Sequence, residues 1–381
     1  MASPASDWFS AVEVARGQAY NRPLERLGRI RLALASAVLV AFVVGQAAPR
    51  VLAALGLSSW AWEVVAVVVA IQLSSLVYSP WFAAHRSLFY DRRWGLSTQT
   101  PEGFVADQFK ELVVVLATSL VLVVPLYAVI RATDAWWLFG WLVVAGFTVL
   151  ASFLYPVVIA PVFNRFEPLE DDRLAARVVA VTQRAGIDVD RVVVADASRR
   201  SRAGNAYVAG LGPTRRVVLF DTILDWPVEL VEQVVAHELG HWKHRHLGRR
   251  LPVVIGAQLV VFATAWAVLG WDPLLSLAGV SAVGDPASLP LLLIVLSLGL
   301  LATSLLASGL HRADERQADL FALELLGRPD RLVELLRRLA RRNKADVDPS
   351  WWKRVTATHP PIAERMAMAA AWKQGQVPGG D

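Results

Sequence analysis

The chain has 381 residues, 55% of them hydrophobic and only 19% charged, with 15 Trp and a mean hydropathy of +0.44. That balance excludes an ordinary soluble enzyme. There is no cysteine, so disulfides and thiolate metal sites are excluded and any metal must be held by histidine and carboxylate. The formal charge of +5 says less than its distribution along the chain.

Six apolar stretches, 32–48, 60–78, 112–130, 141–163, 251–271 and 289–310, are each about long enough to cross a hydrocarbon core of roughly 30 Å. Lys and Arg alternate across them: five before the first, then one, four, one, fourteen, none, and thirteen after the last. The short loops agree with one another, and the positive-inside rule puts both termini and the long segment 164–250 on the cytoplasmic side. About thirty polar, Arg-bearing residues precede the first apolar run, which is not the pattern of a cleavable signal peptide. The Arg-, Ala- and Val-rich composition points to a bacterial cytoplasmic membrane. Membrane lipid and a peptide or protein substrate are the expected partners, and no nucleic acid is expected.

The segment 164–250 reads as a small α/β insertion. Residues 171–185 have the spacing of an amphipathic helix, with Asp171 and Asp172 near its start. Residues 191–195 and 216–220 are β-branched runs that read as buried strands, and the Gly-bounded piece 204–210 suits a third strand or a sheet edge. Pro227 precedes a predicted helix over 228–245 that carries His237-Glu238-Leu239-Gly240-His241. Two histidines four apart share a helix face, so both rings can reach one metal, and the glutamate between them can act as general base on a water. After the last span, the second soluble part, 311–381, begins as its cytoplasmic extension. Residues 329–342 form an amphipathic helix with a strongly basic face, read as solvated near anionic lipid. The fold class is therefore a mainly α integral membrane protein with about six transmembrane helices. Its expected division is 1–163 (four spans), 164–250 (catalytic insertion), 251–310 (two-span hairpin) and 311–381 (C-terminal helical region).

A zinc hydrolase takes three protein ligands. The pattern HExxHxxGxxH would need Gly at 244 and His at 247, where the chain has His244 and Leu247. A glutamate from a later helix is the other solution, and Glu315, in ERQAD (315–319), is the best candidate. Asp319 lies one helical turn beyond it and can accept the outer ring N–H of a ligand histidine. Asp314 and Glu324 are available carboxylates too, but neither has the same turn-spaced partner.

At this point the chain resembles the type I CAAX prenyl endopeptidases, integral-membrane zinc metalloproteases of the gluzincin kind. The stretches that carry the likeness are YSPW (78–81), RRWGLSTQ (92–99), APVFN (160–164), SRAGNAYVAG (201–210), RVVLFDTIL (216–224) and HELGHWK (237–243). ERQAD with Phe321 and Ala322, and THPP (358–361) through Glu364 and Arg365, complete the set. The resemblance implies one Zn2+ per chain, held by His237, His241 and Glu315, with Glu238 as base and Asp319 in support. It also implies that Asn205, His359 and Arg365 hold the substrate or stabilise the tetrahedral intermediate. Asn205 and Ala206 sit where a peptide can add as an extra strand. His246 matches a family position, whereas His85, His244 and His311 read as solvated or interfacial. The expected activity is a zinc endopeptidase at the cytoplasmic face, acting on a peptide or protein with or without a lipid modification. The alternative is a quality-control metalloprotease without prenyl specificity. A transporter or a non-catalytic scaffold fits less well, because the spans bury few ionisable groups.

Overall fold

The computed structural model describes residues 4–210 and 215–375. Five helices are long and apolar enough to cross a membrane, or six when the pair Trp60–Ser75 and Ser79–Arg93, bent by 43°, counts as one broken span. The break falls at Leu76–Tyr78, with Pro80 opening the second piece, where proline fits without losing a helical bond.

The helices outrun the apolar stretches read from the sequence. The first is Ala11–Val44, started by a capping box in which Ser10 accepts from Glu13 N–H and Glu13 accepts from Ser10 N–H. It ends earlier than residue 48, at Gly45 and Gln46, where Gln46 is left-handed at φ 47°. The third, Pro101–Ala132, begins at a Thr100 cap, and the fourth runs from Trp136 to Phe163. Its π turn at Tyr155–Ile159 forms around Pro156, whose ring removes one donor from the ladder. His246–Leu269 follows, and Leu289–Leu326 is a single helix of 38 residues. At 1.5 Å per residue it is about 57 Å long, so roughly half of it must stand outside a 30 Å hydrocarbon layer.

Inside the bundle the packing is apolar and close. Gly299 lies where a Cβ would come within 2.5 Å of Val261, so the last two long helices touch nearly backbone to side chain. Among the polar groups described there, Tyr127 pairs with Ser288 at 2.8 Å, Gln258 Nε2 donates to Thr148 at 3.0 Å while its Oε1 is left without a partner, and Trp141 Nε1 donates to the Ile255 carbonyl at 2.8 Å.

A polar head is assembled from both soluble segments and the first turns of Ala11–Val44. Its sheet has the order β1-β2-β4-β3, with β1 Phe166–Pro168, β2 Arg191–Ala195, β3 Ala206–Ala209 and β4 Arg216–Phe220. β2 and β4 are parallel; β1 and β3 run antiparallel at the edges. β2 and β4 have the bounds expected from their β-branched runs, and β3 lies within 204–210. β1 was not legible. The helix Asp172–Arg184 is capped by Asp171, which accepts from Arg173 and Leu174 N–H. Pro329–Arg342 buries Leu332, Leu335 and Leu336 against the same core as Leu230, Val231 and Met366. Ion pairs tie the head to the long helices, among them Arg341 with Glu13 at 2.7 Å, Lys353 with Glu25 at 2.6 Å, and Arg200 on Asp107 through bonds of 2.6 and 2.9 Å.

Candidate metal centre

The HELGH helix is Val228–Lys243. It starts directly after Pro227, whose fixed φ suits a helix entry. Leu230, Val231, Val235 and Leu239 form its buried stripe in the head core. His237 and His241 project instead toward the helix Leu289–Leu326. The two helices cross at Gly240 and Ala318, where a Cβ on residue 240 would lie 2.9 Å from the Ala318 Cα. Glycine is required there to let the backbones approach.

That crossing brings three ligand-type side chains together. His237 Nε2 is 3.3 Å from His241 Nε2 and 3.4 Å from Glu315 Oε2, and His241 Nε2 is 3.3 Å from Glu315 Oε1. Ligand atoms about 2.05 Å from one ion at the tetrahedral angle lie about 3.3–3.4 Å apart, so these spacings, two of them to different oxygens of Glu315, are of the size zinc requires. Among the described residues this is the one group of His and carboxylates that could hold a metal ion. Glu315 Oε2 is buried with no hydrogen-bond donor, a costly state unless a cation faces it.

Each ring is held from behind. Asp319, fully buried, accepts from His237 Nδ1–H at 2.9 Å, which leaves the Nε2 lone pair facing the other donors. Burial disfavours a charge on His237, but the hydrogen bond to Asp319 and the nearby Glu315 carboxylate outweigh it and raise its pKa to about 10. The site therefore attracts a proton or a metal cation. Burial raises the pKa of Glu238 above the ordinary carboxylate value, against the pull of His237 and His241. That is the direction expected for a general base.

The remaining expected residues divide into two groups. Arg365 donates from Nε and Nη2 to the two Asp319 oxygens, both at 2.7 Å, and its Nη1 is 3.7 Å from Glu315 Oε2. His359 Nε2 is 3.4 Å from Glu315 Oε1, on a side chain 63% exposed, and its Nδ1 meets Thr358 Oγ1 at 3.0 Å. These two join the cluster. Asn205 and Ala206 do not hydrogen-bond to it among the described residues. Asn205 Oδ1 accepts from Ala206 N–H, and its carbonyl accepts from Phe220 N–H. They lead into β3, whose outer edge is unpaired in the sheet.

His246, Gln317 and Asp314 had no role assigned from the sequence. His246 is fully buried, with Nδ1 2.8 Å from His241 Nδ1 and Nε2 3.0 Å from Gln317 Oε1. The signal was a histidine five residues past His241, but its return to the site depends on the turn between two helices, where Arg245 is left-handed at φ 51°. His244, expected to be solvated or interfacial, is half-buried and stacks on His246. His311 is also half-buried and contacts Arg250.

Comparison with known proteins gives the family and the fold. Residues 168–373 match the family model of peptidase family M48, and residues 2–165 match that described as CAAX prenyl protease N-terminal, five membrane helices. An uncharacterized metalloprotease of Bacillus subtilis, YhfN, is 29% identical over 312 residues, covering 78% of this chain and 70% of its own length. CAAX prenyl protease 1 of Saccharomyces cerevisiae is 32% identical over 195 residues, covering 50% of this chain and 42% of its own. The crystal structure of S. mikatae Ste24p superposes with a TM-score of 0.84 at 22% identity, covering 96% of this chain and 90% of that one. The likeness to Ste24p is one of fold.

Proposed function

Because the chain belongs to peptidase family M48, whose members are zinc-dependent metalloproteases, and is an integral membrane protein, we propose that it is a zinc endopeptidase using His237, His241 and Glu315 as ligands. The observation that carries this reading is the meeting of His237, His241 and the two oxygens of Glu315 at spacings of 3.3–3.4 Å. The segments 164–250 and 311–375 together make the catalytic unit in this reading. The alternation of Lys and Arg supports a cytoplasmic orientation for it.

Zinc, when bound, polarises the scissile carbonyl and acidifies the attacking water. Glu238 accepts the proton from that water and returns it to the leaving amine, a task helped by its burial. A substrate strand added to the outer edge of β3 would take main-chain hydrogen bonds from Ala206 and Val208, displacing Asn205 Oδ1 from the Ala206 N–H and Trp242 Nε1 from the Val208 carbonyl. His359, exposed and close to Glu315, is placed to donate to the developing oxyanion. Arg365 is bound bidentately to Asp319, so its first task is to keep that carboxylate ionised beneath His237. The names of the yeast and other relatives suggest a substrate with a lipid-modified cysteine near its C-terminus.

Glu238→Gln should lower peptide cleavage by about 10²–10⁴-fold while zinc content, measured on the purified protein, stays at one per chain. Full activity with zinc confirmed would overturn the mechanism. A peptide panel with and without a lipidated cysteine tests the substrate. Equal cleavage of both would favour broad quality control over processing.

A further inference from the structure

The two candidate histidine ligands are supported by different chemistry. Behind His237 stands a carboxylate, Asp319. Behind His241 stands another imidazole, with His241 Nδ1 and His246 Nδ1 2.8 Å apart. Two ring nitrogens can share one hydrogen bond only if one carries the hydrogen and the other accepts, and nothing in that pair alone decides which.

The next contact decides it. His246 Nε2 lies 3.0 Å from Gln317 Oε1, and Arg249 Nη1 donates to that same oxygen at 3.2 Å. Arginine has no acceptor, so the amide is fixed with its oxygen toward both donors. His246 must then carry its hydrogen on Nε2, and in the neutral ring Nδ1 becomes the acceptor. Asp314, with Oδ1 3.7 Å from His246 Nε2, favours the same placement. His241 consequently donates from Nδ1, and its Nε2 lone pair faces His237 and Glu315. The opposite arrangement would place a hydrogen on His241 Nε2, where it would block a metal.

We infer that His246, polarised by Gln317, is the positioning residue that fixes the ligating tautomer and ring orientation of His241. This rests on the reading of His237, His241 and Glu315 as the zinc site. The geometry is built for the purpose. Gly240 O and Trp242 O accept from His244 and Arg245 N–H, and the left-handed Arg245 folds the chain back so that His246 opens the next helix directly against His241. A non-glycine residue in that conformation is uncommon. His246 itself is wholly buried, although it stands where the polar head meets a membrane-spanning helix.

The test is zinc affinity of the full-length protein in detergent, by competition with a chelating dye. Co2+-loaded protein provides a second readout through its absorption spectrum. His246→Leu should weaken zinc binding about 10–100-fold, the usual effect of losing a ligand's hydrogen-bond partner. The Co2+ spectrum of that variant should also change. His246→Asn offers a carbonyl oxygen near the position of Nδ1 and should restore affinity to within several-fold of the parent. Gln317→Leu, on a half-exposed side chain, leaves the tautomer of His246 unfixed and should fall between the two. Wild-type affinity in both His246→Leu and Gln317→Leu overturns the inference. So does an Asn variant as weak as the Leu variant when both unfold at the parent's temperature in metal-free form, since position 246 then acts only through packing. His237→Ala is the companion control. If it keeps zinc, the ligand assignment itself is wrong. If it loses zinc while the His246 and Gln317 variants do not, only the positioning role fails.

Discussion

The helix Leu289–Leu326 contains two regions with opposite rules. In its first half Leu298, Leu301 and Leu306 expose 65%, 60% and 56% of their surface, while in its second half Asp314, Glu315 and Asp319 expose 9%, 7% and 0%. The pattern is inverted relative to a soluble helix at one end and relative to common residue preferences at the other. Both follow from the surroundings. Lipid tails are as apolar as leucine, so exposure of Leu301 to the bilayer costs little. Burial of Asp319 would be costly alone, but His237 and Arg365 saturate both of its oxygens. One half is held by its solvent, the other by its partners. Changes in the second half should therefore carry large effects, and those in the first small ones.

The sharpest break is Glu315→Leu, which keeps the helix and its apolar packing but removes one of the three ligand-type side chains. Zinc affinity should fall by more than about 100-fold, beyond the range for loss of a supporting residue. Competition with a chelating dye measures it, and retention of zinc at parental affinity would rule out Glu315 as a ligand. Asp319→Ala should come next. It leaves the Arg365 guanidinium, 12% exposed, without its bidentate partner, and frees the outer nitrogen of His237. A loss of about 3–5 kcal/mol in stability is expected from the broken buried pair, and about 10–100-fold in zinc affinity. Unfolding in denaturant and dye competition read the two effects separately. Loss of affinity with unchanged stability would mean that Arg365 is satisfied by Glu315 alone.

The same contrast explains what the sequence made legible. The strands Arg191–Ala195 and Arg216–Phe220 announced themselves because a fully buried strand must be apolar and β-branched throughout. Pro227 marked the start of the HELGH helix, and the turn spacing of Glu315 and Asp319 pointed to two acids on one face. Helix limits around the membrane were harder. Hydropathy reports where lipid begins, not where a helix does, so Pro101–Ala132 extends eleven residues before the apolar run at 112. Phe166–Pro168 was missed because three residues with a glutamate and a proline carry no strand period. His246 was not read as a partner of His241 because its position depends on a left-handed arginine, and no local sequence signal prescribes one.

The weakest effect is also the cleanest test of the comparison, because it uses one residue type on one helix. Leu323 is fully buried in the head core beside Leu326, Leu332 and Leu336, whereas Leu301 faces outward in the membrane half. Leu323→Ala removes the same atoms as Leu301→Ala but leaves a cavity that the packed head can only partly close. It should cost about 2–5 kcal/mol. Leu301→Ala opens no cavity, since acyl chains fill the space, and should change stability by under about 0.5 kcal/mol. Thermal unfolding in lipid nanodiscs compares the two directly. A cost at residue 301 approaching that at 323 would mean that the surface of the first half is covered by protein, not lipid, and the division of the helix into two regimes would fail.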